Sequence, residues 1–256
     1  MVREKFSKLI LVSLICLSIM CSYSVVSAKE TNVYFTNDNG VSLTKEEYDF
    51  LVKMYWDGYP KLMTKKEYQE FNDKKIIERE YEEKTVTYDE KPLTRGSYHE
   101  TAAKSLKISK ACDSDGECFI VVNATWNGVP TVKSYDLMGS YLNGDIELVS
   151  GPDTRVSSSE KAFFASDMKK TKNGFGFSFK LPGGEYHVIS QSFHVQKKEN
   201  FEYASIFSSY QHARRETTLE VSQDYKISLV GEGHVFDFGE DAYDVYDHMN
   251  GVDIEI

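Results

Sequence analysis

The sequence predicts a mainly β protein, an antiparallel β-sandwich or jelly roll with a small N-terminal helical hairpin. Two observations carry this prediction. From about Thr85 onward, apolar and polar residues alternate with period two in many short runs, and turn sequences such as Asn143-Gly144 and Asn173-Gly174 separate them. Before Thr85 the apolar spacing is helical, and a helix-start signature occurs twice. Short strands with regular turns are typical of a sandwich.

The first 28 residues have the organisation of a signal peptide. Arg3, Lys5 and Lys8 precede an uncharged stretch at 9–20, and small residues follow at 26–28. The uncharged stretch is shorter than the roughly 20 residues that a transmembrane helix needs. We therefore expect cleavage after Ala28 and no membrane span in the mature protein. It would be extracellular or loosely associated with the cell envelope.

The charge of the mature chain limits its partners. The precursor has 30 basic and 40 acidic residues. Three of the basic residues and one of the acidic residues lie in the predicted signal peptide. The remaining 228 residues therefore carry a net charge of −12. Such a charge repels nucleic acid at long range. We expect three parts: signal peptide 1–28, helical hairpin and charged connector 29–84, and β-sandwich domain 85–256.

The predicted hairpin contains two matching capping boxes. Thr44 is followed three residues later by Glu47, and Thr64 by Glu67. In this motif the threonine hydroxyl accepts a hydrogen bond from the backbone amide of the glutamate. The glutamate carboxylate in turn accepts a hydrogen bond from the backbone amide of the threonine. We expect Thr44 and Thr64 to be the N-caps of consecutive helices, with Gly58 ending the first.

Two cysteines remain after cleavage, Cys112 and Cys118, and we expect them to form a disulfide in an exported protein. A hairpin that turns at 113–117 places them opposite each other and also pairs Ile108 with Val122. The bond would leave neither thiol available as a nucleophile.

The remaining pattern defines the sandwich strands and the C-terminal segment. Residues 240–249 are predicted to form a helix that docks by Tyr243, Tyr246 and Met249, and the chain after it would close a sheet edge. The candidate strands are 85–88, 104–112, 118–126, 131–142, 145–149, 161–168, 175–181, 186–196, 201–210, 217–221, 225–230, 234–238 and 252–256.

Several segments resemble a group of secreted proteins of Gram-positive bacteria. They include Tyr-Phe-Thr-Asn-Asp-Asn-Gly-Val at 34–41 and Leu-Thr-x-x-Glu-Tyr-Asp-Phe-Leu at 43–51, with further matches at 97–102, 132–136, 209–213 and 250–254. The resemblance covers nearly the whole mature chain and implies export and a shared organisation. It implies no activity and no functional residue. A shorter similarity, at 207–213, is to a motif of small secreted bacteriocins.

Two common catalytic motifs are absent from the sequence. The chain has no Gly-x-Ser-x-Gly, and His99-Glu100 has Ala103 where a zinc-binding His-Glu-x-x-His requires its second histidine. The loop 113–117 has the composition of a tight turn and lacks two calcium ligands at the spacing of a calcium loop. A catalytic group assembled from distant residues stays open as an alternative.

A group of acidic residues near the C-terminus offers weak metal ligands. Asp237, Glu240, Asp244 and Asp247 would lie on or beside one face of the predicted helix. Such a face binds calcium or is simply solvated, and the solvated face is the commoner case. No other cofactor is indicated.

The aromatic residues Trp56 and Tyr59, beside the predicted end of the first helix, are the candidate binding residues. The predicted function is a secreted, non-catalytic module that binds an envelope glycan or a protein. The alternatives are a secreted hydrolase of glycan or peptide and a bacteriocin-like protein. A cleft with a histidine–carboxylate pair would favour an enzyme, whereas an exposed aromatic patch would favour a binder.

Overall fold

A computed structural model describes residues 32–87, 104–198, 203–231 and 233–256. The predicted signal peptide and His99-Glu100 lie outside these ranges. Within them, no helix is long and apolar enough to cross a membrane.

The described chain is mainly β, with antiparallel pairing throughout, as predicted. The described strands are β1 (Phe35–Thr36), β2 (Ser42–Leu43), β3 (Glu80–Thr87), β4 (Lys104–Cys112), β5 (Glu117–Trp126), β6 (Tyr135–Asn143), β7 (Ile146–Ser158), β8 (Ala162–Phe164), β9 (Asp167–Lys170), β10 (Gly174–Lys180), β11 (His187–Lys197), β12 (Ser205–Gln211), β13 (Tyr225–Val230), β14 (His234–Phe238) and β15 (Val252–Glu255). A five-stranded sheet has the order β15-β12-β6-β10-β9, and a six-stranded sheet has the order β3-β4-β5-β11-β7-β8.

The two large sheets pack face to face around one hydrophobic core. Strand β10 shows how the sequence produces this, because Phe175, Phe177 and Phe179 alternate with small residues and all three are buried in that core. Across the core, Phe193 of β11 lies 4.9 Å from Phe175, ring centroid to centroid. The period-two pattern therefore places one face of each sheet in the interior.

The other face of the five-stranded sheet is covered by the β13–β14 hairpin. Close packing there depends on glycine, since a Cβ at Gly176 would lie 2.9 Å from both Ile227 and Phe236. A Cβ at Gly139 would lie 2.8 Å from Phe236. The alternation of Phe and Gly in β10 thus serves two layers, with large side chains on one face and close backbone approach on the other.

The N-terminal helices cover the outer face of the six-stranded sheet. They are α1 (Lys45–Met54), α2 (Tyr59–Leu62), α3 (Lys65–Asp73) and a 3-10 turn (Ile76–Glu78). Thr44 and Thr64 are the N-caps of α1 and α3, each with a complete capping box, which confirms both caps but not that the two helices are consecutive. The short helix α2 lies between them, so the segment has one more helix than the predicted hairpin.

The last part of the charged connector predicted to run through Lys84 belongs to strand β3, which begins at Glu80 and pairs with β4 along its whole length. The prediction was wrong for this part because β3 is an edge strand with most of its residues exposed, and charged side chains suit such an edge.

The disulfide and its hairpin register are confirmed. Cys112 and Cys118 are bonded, with a Cα–Cα distance of 4.0 Å, and they face each other across β4 and β5. Ile108 pairs with Val122 as predicted.

The C-terminal segment differs from its prediction in part. The helix predicted at 240–249 is only α5 (Glu240–Tyr243), and Tyr243 is 59% exposed instead of docked. Tyr246 is buried because it bridges to Ala213 and donates to the carbonyl of Tyr135, and these tertiary contacts replace helical ones. The final strand β15 does pair with β12 at the sheet edge, with Val252 and Ile254 buried.

The structure also differs from the prediction at 217–221. A strand was predicted there, but most of the segment belongs to the short helix α4 (Leu219–Ser222), whose N-cap is Thr218.

Candidate functional site

An open groove lies where the edge strands of the two sheets meet. Its volume is about 610 Å³, within the range of ligand-binding clefts. Phe179 and Leu181 are buried residues of its floor, whereas Phe164 is 48% exposed. Charged groups of both signs also line it, namely Glu160, Lys161, Asp167 and Lys180.

The groove exists because the chain crosses from one sheet to the other between β8 and β9. Phe163 pairs with Val156 and packs against the sandwich core. Phe164 pairs with Arg155 and therefore points to the opposite face, where the Arg155 guanidinium lies 4.7 Å from its ring centroid. The side chains of these adjacent phenylalanines thus lie on opposite faces of β8, and only that of Phe164 is exposed.

Both strands beside the groove have an open edge. Strand β8 ends the six-stranded sheet and β9 ends the five-stranded sheet, and no described strand pairs with their outer sides. Backbone groups on such an edge remain available for another strand.

A second, enclosed cavity lies between the N-terminal helices and the six-stranded sheet. Its volume is about 60 Å³, which is enough for a few water molecules. His194 lines it, and its side chain is 3% exposed. Its Nε2 lies 3.7 Å from Glu70 Oε1, and its Nδ1 lies 3.2 Å from Glu117 Oε1 in a geometry that makes no hydrogen bond.

His194 is neutral at physiological pH. Burial is the main cause that lowers its pKa to about 4, and the positive charges of Lys74 and Arg79 act in the same direction. Glu117 opposes them but does not compensate. The cavity therefore holds an uncharged histidine among mostly apolar residues at a layer interface.

A histidine–carboxylate pair is present, but it is sealed inside the protein. His212 Nδ1 lies 2.9 Å from Asp136 Oδ2, and neither residue has exposed surface. Tyr210 donates to the same carboxylate, and Trp126 Nε1 donates to the Tyr210 hydroxyl over 2.9 Å. Burial alone would lower the pKa of His212, but the charge and hydrogen bond of Asp136 outweigh it and raise that pKa.

The same network holds a buried ion pair. Lys104 Nζ contacts Asp247 Oδ2, and both side chains are 1% exposed. The backbone amide of His212 donates to Asp247 Oδ1 over 3.1 Å. These six side chains form one cluster between the sheets and the C-terminal segment, so their arrangement fixes the end of the chain.

The structure separates the two aromatic residues predicted to bind. Tyr59 is 3% exposed and stacks on Tyr55 at 3.6 Å between ring centroids, so it forms a wall of the enclosed cavity and offers no free face. Trp56 is half-buried and lies 5.8 Å from Tyr186, which is 41% exposed. Binding by Trp56 stays a prediction, with Tyr186 as its neighbour.

The predicted acidic face does not form, because α5 ends at Tyr243. Asp237, Glu240 and Asp244 are exposed, whereas Asp247 is buried against Lys104. Within the described ranges, no group of three or more histidine, cysteine, aspartate or glutamate residues is arranged to hold a metal ion.

No family model matches this chain, and no curated protein matches it in sequence at a significant level. Among solved structures, the collagen-binding domain of Erysipelothrix rhusiopathiae surface protein RspB gives a TM-score of 0.32 at 8% identity. The match covers 41% of this chain and spans 37% of that one. The collagen-binding domain from a Staphylococcus aureus adhesin gives 0.28 at 13% identity, over 38% and 75%. ACE19, the collagen-binding subdomain of Enterococcus faecalis surface protein ACE, gives 0.29 at 7% identity, over 56% and 86%.

These structural matches are too slight to transfer a function. They are matches to domains of Gram-positive surface proteins, and collagen binding belongs to those proteins.

Sequence reasoning missed the groove. Phe163-Phe164 lay inside a predicted strand, and nothing local shows that this strand ends a sheet. The order of the strands is what leaves Phe164 uncovered.

Proposed function

We propose that this protein is a non-catalytic extracellular binding module that holds a protein partner in the groove beside β8 and β9. The observation that carries the proposal is the groove itself, with an apolar floor, the exposed Phe164 and charges of both signs around it. Aromatic residues in such positions supply much of the affinity of protein interfaces.

The open strand edges favour an extended polypeptide as the ligand. A peptide strand that adds to β8 or β9 would satisfy backbone groups of the edge, and its side chains would reach Phe164 and the floor. Lys161, Lys180, Glu160 and Asp167 would then select for charge along the peptide.

A glycan is the second candidate, and the pair Trp56–Tyr186 supports it. Half-exposed aromatic rings side by side can stack on sugar faces. A hydrolase is less well supported, because the His212–Asp136 pair has no exposed surface and the side chain of His194, beside Glu117, is only 3% exposed.

The test is a selection of binders with paired variants. Peptide-display libraries and a glycan array are screened against the mature protein, and the affinity of each selected ligand is measured for Phe164→Ala and Tyr203→Ala. Tyr203 is the matched control, because it is an aromatic residue that is 76% exposed and lies away from the groove. Tyr135, at one end of β6, lines the groove, whereas Tyr203 lies beside Gly144, at the other end of β6.

We expect the screen to yield peptide ligands. Their affinity for Phe164→Ala should be at least about tenfold lower than for the wild type, and their affinity for Tyr203→Ala nearly unchanged. The reason is that an aromatic residue at the centre of an interface contributes about 2 kcal/mol or more to the binding free energy. Peptides indifferent to Phe164→Ala would contradict the groove. Glycans that lose affinity with Trp56→Ala would favour the second candidate.

A further inference from the structure

The pair Lys104–Asp247 has the arrangement of two groups ready to condense. The residues are 143 positions apart in sequence, yet Nζ of the first contacts Oδ2 of the second inside the protein. Nζ also lies 5.0 Å from the ring centroids of both Trp126 and Tyr210. We propose that Lys104 and Asp247 become joined by an intramolecular amide, an isopeptide bond between Nζ and Cγ.

The surroundings remove the main obstacle to this reaction. In water an ammonium and a carboxylate stay charged and do not condense. Here both side chains are 1% exposed, and aromatic rings replace the water that would stabilise the charges. Transfer of one proton from Nζ to the carboxylate it contacts gives a neutral amine beside a neutral carboxylic acid. The amine is the nucleophile that the reaction needs.

The carboxyl group is also held in a suitable orientation. Asp247 Oδ2 faces Lys104, whereas Oδ1 accepts from the backbone amide of His212 over 3.1 Å. When Nζ attacks Cγ, negative charge collects on Oδ1, where this fixed donor stabilises it. Asp136 keeps that backbone in place, because it contacts the His212 ring and accepts from the amide of Ala213 over 3.0 Å.

The atoms balance without any co-reactant. The bond that forms is Nζ–Cγ, and the bond that breaks is Cγ–Oδ2. Of the three ammonium hydrogens, one stays on the amide nitrogen and two leave with Oδ2 as water. No electron is gained or lost, so the product is a neutral amide and one water molecule.

The consequence is a covalent connection between β4 and the C-terminal segment. Lys104 begins β4 of the six-stranded sheet, and Asp247 precedes β15, which ends the five-stranded sheet. The bond would tie the two sheets together near the end of the chain. This inference is independent of the proposed binding in the groove.

The test is the intact mass of the exported protein after reduction of its disulfide, followed by sequencing of its peptides. We expect a deficit of one water molecule against the mass of the mature sequence, and a branched peptide that joins Lys104 to Asp247. Lys104→Arg, which keeps the positive charge, should show no deficit. Asp247→Asn should reach the same final mass as the wild type, because the same amide forms with ammonia as the leaving molecule.

A wild-type protein of full mass, with Lys104 and Asp247 in separate peptides, would overturn the inference even if the variants fail to fold. A water deficit that persists in Lys104→Arg would overturn it as well.

Discussion

Acidification should destabilise the protein through His194, at the interface between α3 and the six-stranded sheet. Its pKa is about 4 in the folded protein and 6.5 for an ordinary histidine. Between these pH values the unfolded chain binds a proton that the native protein excludes, so the free energy of unfolding rises with pH. The contribution is complete above about pH 6.5 and is lost as the pH falls to 4.

The magnitude follows from the shift. Each pKa unit corresponds to about 1.4 kcal/mol, so a shift from 6.5 to about 4 corresponds to roughly 3 kcal/mol. The groups around the ring are Glu70 and Lys74 at the end of α3, Arg79, and Glu117 of β5. Burial alone would raise the pKa of Glu117, but the hydrogen bond and charge of Lys74 outweigh it and lower that pKa. Glu117 therefore adds a further loss at lower pH.

The assay is urea unfolding at intervals between pH 5 and 7.5, a range that isolates the histidine from the carboxylates. His212, whose pKa is raised, gains stability as the pH falls and acts in the opposite sense over this range, so the contribution of His194 is the difference between wild type and His194→Phe. Between pH 7.5 and 5 the wild type should lose about 2 kcal/mol relative to His194→Phe. The substitution is suitable because both ring nitrogens lack hydrogen bonds, and an apolar ring leaves no buried polar group unpaired. His248→Gln, at a half-buried histidine elsewhere, should keep the wild-type slope. A His194→Phe variant with the same pH dependence as the wild type would refute the reasoning.

Three further predictions concern stability. Thr44→Ala removes the side-chain acceptor of a complete capping box and should cost about 1 kcal/mol in urea unfolding, and an unchanged midpoint would contradict the cap. Deletion of 252–256 exposes what Val252 and Ile254 now pack against and should cost roughly 3–6 kcal/mol, so a truncated protein that melts like the full-length one would show that β15 is dispensable. Millimolar calcium should not shift the melting temperature relative to a chelator, because Asp247 is held by Lys104, and a large upward shift would reveal a cation site at the remaining acids.

Local patterns were the part of the fold that the sequence could predict. The capping boxes, the alternation in β10 and the Cys112–Cys118 hairpin each depend on residues a few positions apart, so period and turn chemistry were sufficient. The prediction of a C-terminal helix at 240–249 was wrong for the opposite reason. The apolar spacing there is helical, but the contacts of Tyr246 with Ala213 and Tyr135, which are distant in sequence, replace the helical hydrogen bonds.

The candidate sites depend on long-range placement and were therefore invisible. Phe164 becomes exposed only because β8 ends its sheet, and Lys104 meets a partner 143 residues away. The sequence did show that Tyr59 lies near the end of a helix, but not that Tyr55 stacks on it and the cavity encloses it. Tertiary placement, which a single sequence does not encode locally, decides each of these outcomes.

The most direct test of binding at the groove is amide hydrogen exchange with and without a selected peptide ligand. Strand addition predicts new protection at the amides of β8 (Ala162–Phe164) or β9 (Asp167–Lys170), an intact peptide after the incubation, and no change around His212. Protection confined to other surfaces, or a peptide that is cleaved during the incubation, would contradict a non-catalytic module that binds at this edge.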